Sequence, residues 1–239
     1  MANIVRIKRR VTGGAGAPAS LKSGEIAINM VTGIVYAGYG DDGSGNATSI
    51  KPIAGEGYVA TGYKELPIKA AGMFPRAGSA GPAPYIAVMP THGAPIGGYA
   101  FDAATEEFIE TSLIMPGDYT GGPVYAKLGW GAALGSGNVV WKVAANFLRD
   151  DDAIDAAAGT AQTVTDGLLA LGDTHLTAWT PAITPGGSYT RASGARTALR
   201  LVVSRDAANG SDTFTSDAIL TDILLAYPVD QTVGQIAFA

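Results

Sequence analysis

In two runs between Val124 and Phe147 an apolar side chain falls at every second residue, and this alternation restricts the fold more than any other feature. Val124, Ala126, Leu128 and Trp130 share one face. Val139, Trp141, Val143, Ala145 and Phe147 share another, directly after Gly135-Ser136-Gly137-Asn138. A period of two is that of a strand with one buried side. The Gly/Asn turn between the two runs predicts a β-hairpin with one Trp on the buried side of each arm. Leu199, Leu201 and Val203 alternate with Arg200 and Ser204, which gives a third strong strand. Ile219, Thr221, Ile223, Leu225 and Tyr227 form a fourth, with Asp222 on its opposite face. Weaker strands are expected at 107–115, 160–164 and 175–179. About eight strands at this spacing fit a sandwich or jelly roll. Helix is expected only in two short runs, Ala153–Ala158 and Leu168–Leu171.

Punctuation supports the same class. The chain holds 33 Gly and 13 Pro in 239 residues, which suits short strands joined by tight turns and not a helical bundle. Hydrophobic residues make up 47%, enough for a real core, while charged residues are only 15%, which argues against intrinsic disorder. With no Cys, disulfides and thiolate zinc sites are excluded. No signal peptide is read at the N-terminus, and no apolar run reaches the ~18 residues of a membrane span. The expectation is a protein made in the cytoplasm and soluble until it assembles.

A first segment stands apart. Residues 1–57 carry six Lys+Arg and four Asp+Glu, net +2. The remaining 58–239 carry ten and seventeen, net -7. Within 1–57 the pattern predicts a basic strand from Ile4 to Val11, a stretch rich in Gly, Ala and Pro from Gly13 to Ser20, and a strand at Glu25–Asn29. A Thr32-Gly33 turn, a return strand from Ile34 to Tyr36, a loop Asp41–Asn46 and a last strand from Ser49 to Ile53 follow. The boundary is expected between Gly55 and Gly62. The whole reads as all-β: a small N-terminal β module, residues 1–57, and a larger jelly-roll-like β-sandwich, residues 58–239.

Candidate chemistry is sparse. His92 and His175 are the chain's two His, with no nucleophile-elbow pattern near them, so an ordinary loop or strand role is favoured for each. Asp150, Asp151, Asp152 and Asp155 form the most acidic stretch. A capped turn is favoured there over glycosidase carboxylates or a Ca²⁺ site, because consecutive Asp lack the alternate spacing of calcium loops. The same weighing applies to Asp41-Asp42-Gly43-Ser44-Gly45-Asn46, which lacks a terminal Glu. No metal and no cofactor is expected, and no enzymatic activity. Arg6, Lys8, Arg9 and Arg10 suit docking onto an acidic protein surface or protection of a strand edge. Without interleaved aromatics, and on an acidic body, they make a poor nucleic-acid signal. Tyr119, Trp179 and Tyr189, flanked by Gly, Pro and Thr, are candidates for stacking on a glycan.

Four motifs in order give residues 1–57 a resemblance: Ile4-Val5-Arg6-Ile7-Lys8-Arg9-Arg10, Leu21-Lys22-Ser23-Gly24-Glu25-Ile26, Thr32-Gly33-Ile34-Val35-Tyr36 and Gly40-Asp41-Asp42-Gly43. The segment resembles the N-terminal domain of the major tropism determinant family of phage receptor-binding and tail-fibre proteins. Many members place a Trp after the Gly-Asp-Gly loop, where this chain has Ser44-Gly45-Asn46. The resemblance implies a particle-proximal, trimeric attachment module that tethers a distal domain. In the larger part, Trp130, Gly137-Asn138-Val139-Val140-Trp141, Gln162–Asp166 and Arg205-Asp206 with Asp212 look similar to β-sandwich domains of phage appendage and virion proteins. The implied partners are other copies of the chain, phage tail, portal or capsid proteins, and a host surface glycan. The implied function is a fibre-like virion appendage. The alternatives are a capsid decoration (cement) protein and a polysaccharide-degrading appendage enzyme.

Overall fold

The computed structural model describes residues 8–10, 16–55, 59–76, 81–88, 95–190 and 197–232. The chain divides into two compact units, one taking Met1–Thr61 with Asp230–Ala239 and the other Gly62–Val229. Among the described residues no helix is long and apolar enough to cross a membrane.

The first unit holds a four-stranded sheet whose strands lie in chain order: β1 (Lys8–Arg10), β2 (Ile26–Asn29), β3 (Ile34–Tyr39) and β4 (Ser49–Gly55). β1 runs parallel to β2, and the other pairs are antiparallel. The β2–β3 turn closes at Gly33, whose φ of 69° suits the Thr-Gly sequence read as a turn. Its buried core is small: Leu21, Ala27 and Tyr36, with Ile34, Ala47 and Ile50 packed against them.

The remaining strands are β5 (Val59–Lys69), β6 (Phe74–Pro75), β7 (Ala83–Val88), β8 (Pro95–Phe101), β9 (Phe108–Ile114), β10 (Tyr125–Gly131), β11 (Asn138–Leu148), β12 (Gln162–Gly167), β13 (His175–Leu176), β14 (Ala198–Arg205) and β15 (Ala218–Thr232). They form two sheets, ordered β13-β10-β15-β8-β7 and β12-β11-β14-β9-β6, and β5 also pairs with β15. From β8 onward the pairing is nested. β8 pairs with β15, β9 with β14, β10 with β13 and β11 with β12, every pair antiparallel. An eight-strand ribbon folded at β11–β12 and wound over itself pairs in this way. Further pairings of β10 with β15 and of β11 with β14 close it into two sheets. The result is a jelly roll, an all-β sandwich.

Between the sheets lies one large apolar core. Trp130 from one sheet meets Trp141 from the other at 6.4 Å between ring centroids, edge to face. Phe101 sits 5.3 Å from Trp141, and Phe214 lies 5.6 Å from Trp130. Both indoles are fully buried. A second aromatic group gathers Tyr119, Phe147, Tyr189 and Tyr227.

Three expectations are corrected. First, β10 and β11 do not form a hairpin but lie in opposite sheets. Two inward faces produce the same alternation whether they lie side by side or face each other across a sandwich. The neighbours decide between the two. Both edges of β11 are taken by β12 and β14, and the arch at 132–137 is bound by the segment leading into β15. Asn138 N–H donates to Thr213 Oγ1 at 3.0 Å, Phe214 N–H to the Asn138 carbonyl at 2.9 Å, and Ser136 N–H to Thr215 Oγ1 at 3.3 Å. Second, β15 does not keep one face throughout. Asp222 lies opposite Gly129 while Leu220 lies opposite Trp130, so Thr221 is an extra residue in a bulge. The bulge turns Leu220 inward along with Ile223, Leu225 and Tyr227 and leaves Thr221 half-buried. Third, Ala153–Ala158 and Leu168–Leu171 are not helical. Each is too short to offset the cost of helix nucleation without an apolar face to bury. Ile154 is 82% and Leu169 89% exposed, and the Ile154 and Ala156 carbonyls accept hydrogen bonds from Arg200 Nη1.

The bulge requires a glycine on its neighbour. A Cβ on Gly98 would overlap the Leu220 carbonyl oxygen, a backbone atom that cannot swing away. Gly98→Ala is therefore expected to lower stability by about 1–3 kcal/mol in urea unfolding. Gly210→Ala, which adds a Cβ to open space, should stay close to wild type; equal midpoints for the two variants would contradict this account of the bulge.

Candidate functional site

The basic strand is an outer strand of the first sheet, paired in the described structure with β2 alone. Lys8 and Arg9 are exposed. Lys8 Nζ lies 3.4 Å from Glu25 Oε2, an exposed ion pair that water screens. Glu25 also accepts the Lys22 N–H at 2.8 Å. That bond, more than the lysine charges, holds its carboxyl below the usual range. Arg10 belongs to β1, its side chain lying outside the described residues, as does all of Arg6. Lys8 and Arg9 thus sit where either a docking surface or a guarded strand edge would place them.

The three aromatic glycan candidates part company. Tyr119 is fully buried, and its hydroxyl donates to the Gly122 carbonyl at 2.5 Å. Burial, with Tyr189 beside it, pushes that hydroxyl far above the usual phenol range. Tyr119 therefore presents no face to a sugar, which corrects the expectation. Gly and Pro neighbours mark a turn but do not say whether its aromatic points in or out. Tyr189 is half-buried against Tyr119 and Phe147, and its hydroxyl donates to the Tyr119 carbonyl at 2.8 Å. It is a packing residue of the same cluster. Trp179 is 37% exposed, with Lys127 Nζ 5.2 Å from its ring centre. Of the three it is the most exposed, and it stands apart from the Tyr119–Tyr189 ring pair.

The acidic loops are turns. Asp41 Oδ1 accepts the Gly43 and Gly45 N–H groups, and Asp42 Oδ1 accepts those of Ser44 and Asn46, all within 3.1 Å. The Asn46 side chain and these amides hold the Asp42 carboxyl below its ordinary range. At the second stretch Asp152 closes a turn by accepting from the backbone and guanidinium of Arg149. Asp151 there has a φ of 67°, a conformation Asp tolerates. Among the described residues no three His, Asp or Glu side chains form a group able to hold a metal. His175 is buried against Trp130 at 4.9 Å, with Nε2 3.1 Å from the Ala170 carbonyl. His92 lies outside the described residues.

One recess went unnoticed in the sequence. A cleft of about 210 Å³, open to solvent, lies where β7, β8, β10 and β15 meet the loop before β13. Its wall includes Lys69, Tyr85, Ile96, Asp173, Thr221 and Asp222. These residues come from five separate stretches of chain. The one local signal was the odd Thr221-Asp222 step in the otherwise apolar run from Ala218 to Val229.

No family model matches the chain, and no curated protein matches it. Among solved structures, the chain is similar to one from "Structure of infectious bursal disease virus Gx strain", at 11% identity and a TM-score of 0.35. The alignment covers 78% of this chain and 35% of that one, so the chain spans about a third of that protein's length. The jelly-roll assignment stands on the strand order of the chain itself.

Proposed function

We propose that this chain is a non-enzymatic structural protein of a bacteriophage particle, a fibre-like appendage that anchors through residues 1–57 and displays the jelly roll for host attachment. The observation that carries the reading is the ordered set of motifs in residues 1–57. Three of them fall on the four-stranded sheet of the first unit and its loops, ahead of a larger sandwich. Jelly rolls serve viral coats and lectins alike, so the sandwich suits the reading without deciding it. The trimer belongs to the same proposal. Three copies of a weak site would raise avidity through effective concentration, which suits a repetitive surface ligand.

Two measurements test it. Antibody against the chain should decorate particles at an appendage in negative-stain images, and the purified chain should scatter light as three copies. A monomer in solution together with unlabelled particles would sink the reading. Labelling spread over the capsid faces would instead establish the decoration-protein alternative. The exposed Phe74 and Ile86, 72% and 84% accessible, are the feature that favours packing against a neighbour.

A further inference from the structure

The cleft beside β15 has a composition that selects its ligand. Its charged residues are Lys69, Asp173 and Asp222, one positive and two negative. The Lys69 ammonium is already paired with Asp222. The balance is one net negative charge, which disfavours phosphate, sulfate and acidic sugars. Around these charges stand Thr221, whose hydroxyl donates to the Gly129 carbonyl at 3.1 Å and can still accept, Thr174, which can donate and accept, and Tyr85, Ile96 and Ile219, which offer flat or apolar surface. Trp130 borders the cleft from within the core, fully buried and held by a 2.7 Å bond from Nε1 to Asp166. A recess open to solvent, mixing a few polar groups with apolar surface, fits one small ring of mixed character. A sugar ring has that character, with hydroxyls around its edge and C–H faces above and below.

We propose that this cleft binds a neutral sugar ring, with Asp173 and Asp222 accepting from its hydroxyls and Tyr85 against its apolar face. The bulge in β15 supplies the site. By inserting one residue it puts Thr221 and Asp222 together on the cleft wall, where unbroken alternation would bring only one of them to that side. Gly131 shapes the opposite wall, since a Cβ there would press on the Asp173 carbonyl at 3.0 Å. The proposal deepens the attachment reading by giving its ligand a chemical class, yet the two fail separately. Particle labelling tests the virion role, and a titration of the soluble chain tests the cleft.

The experiment is an amide NMR titration of the full chain with glucose, galactose and N-acetylglucosamine, each to roughly 100 mM, enough to reveal millimolar binding. Gly97, Gly131 and Gly172 line the cleft and report on it from the glycine region of the spectrum. At least one sugar is expected to shift these three signals saturably. Asp173→Ala and Thr221→Val should each weaken that binding tenfold or more. Asp173 is exposed, so its replacement leaves the core untouched, and unchanged dispersion of the spectrum verifies this. Trp179→Ala should bind as wild type does. The proposal is overturned if no sugar shifts the three glycines. It is equally overturned if Asp173→Ala binds with unchanged affinity, or if Trp179→Ala abolishes binding while Asp173→Ala does not.

Discussion

Arg205→Met is expected to cost about 3–5 kcal/mol in denaturant unfolding, a large share of the stability of a typical domain. Arg205 is a charged side chain with no exposure, paired with an Asp212 carboxylate that is itself 2% exposed. Its donors are fully used. Nε and Nη2 reach the two Asp212 oxygens at 3.0 and 2.7 Å. Nη2 also donates to the Phe214 carbonyl, and Nη1 donates to those of Phe101 and Ser216. One guanidinium thus ties the end of β8 to the segment that carries the chain from β14 into β15. Removing it leaves a buried carboxylate and three carbonyls without that partner, and desolvation makes each costly. Lysine keeps the charge but not the planar fork, so Arg205→Lys should recover less than half of the loss. Arg149→Met, at an exposed pair with Asp152, supplies the contrast and should leave the unfolding midpoint close to that of wild type. Similar losses at the two arginines would refute the claim that burial decides.

The two core tryptophans are expected to respond unequally to the same change. Trp130→Phe and Trp141→Phe remove similar volume from the centre of the sandwich. Trp130 also loses its Nε1 bond to Asp166, 2.7 Å long and charge-assisted. The Trp141 indole N–H is buried and meets no acceptor among the described residues. Its loss removes an unpaired polar group and offsets part of the cavity cost. Trp130→Phe should therefore be the more destabilising by about 1–3 kcal/mol in urea unfolding. Both alanine variants should fall in the range of about 3–5 kcal/mol. An equal or reversed order for the phenylalanine pair would mean that packing alone sets their worth.

Strand identity was legible because burial on one side of a sheet imposes period two on the sequence. β11 and β14, and the β2–β3 hairpin with its Thr-Gly turn, lie where alternation and turn chemistry predict. The inward direction of Trp130 and Trp141 was legible for the same reason. Partners were not. Nothing within 124–147 states that its two strands face each other across a core, because the decision rests with β12, β14 and residues 213–216. The face of β15 changes at a bulge that exists only opposite Gly129 and Trp130. Tyr119 and Trp179 both sit among turn residues, yet one is sealed into an aromatic cluster and the other is exposed.

The candidate site divides along the same line. The basic strand and the acidic turns are contiguous in sequence, so local chemistry identified them, and the Asp side chains do close turns on their own amides. The cleft has no local signature, because Lys69, Tyr85, Asp173 and Thr221 approach one another only once the ribbon is wound. The sequence alone determined the all-β class, the inward faces of most strands and the turns, since each depends on neighbours one to four residues away. Tertiary structure alone decided strand pairing, the bulge, the fate of each aromatic and the existence of a cleft. Each of these depends on which distant backbone groups remain free to bond when the two sheets close.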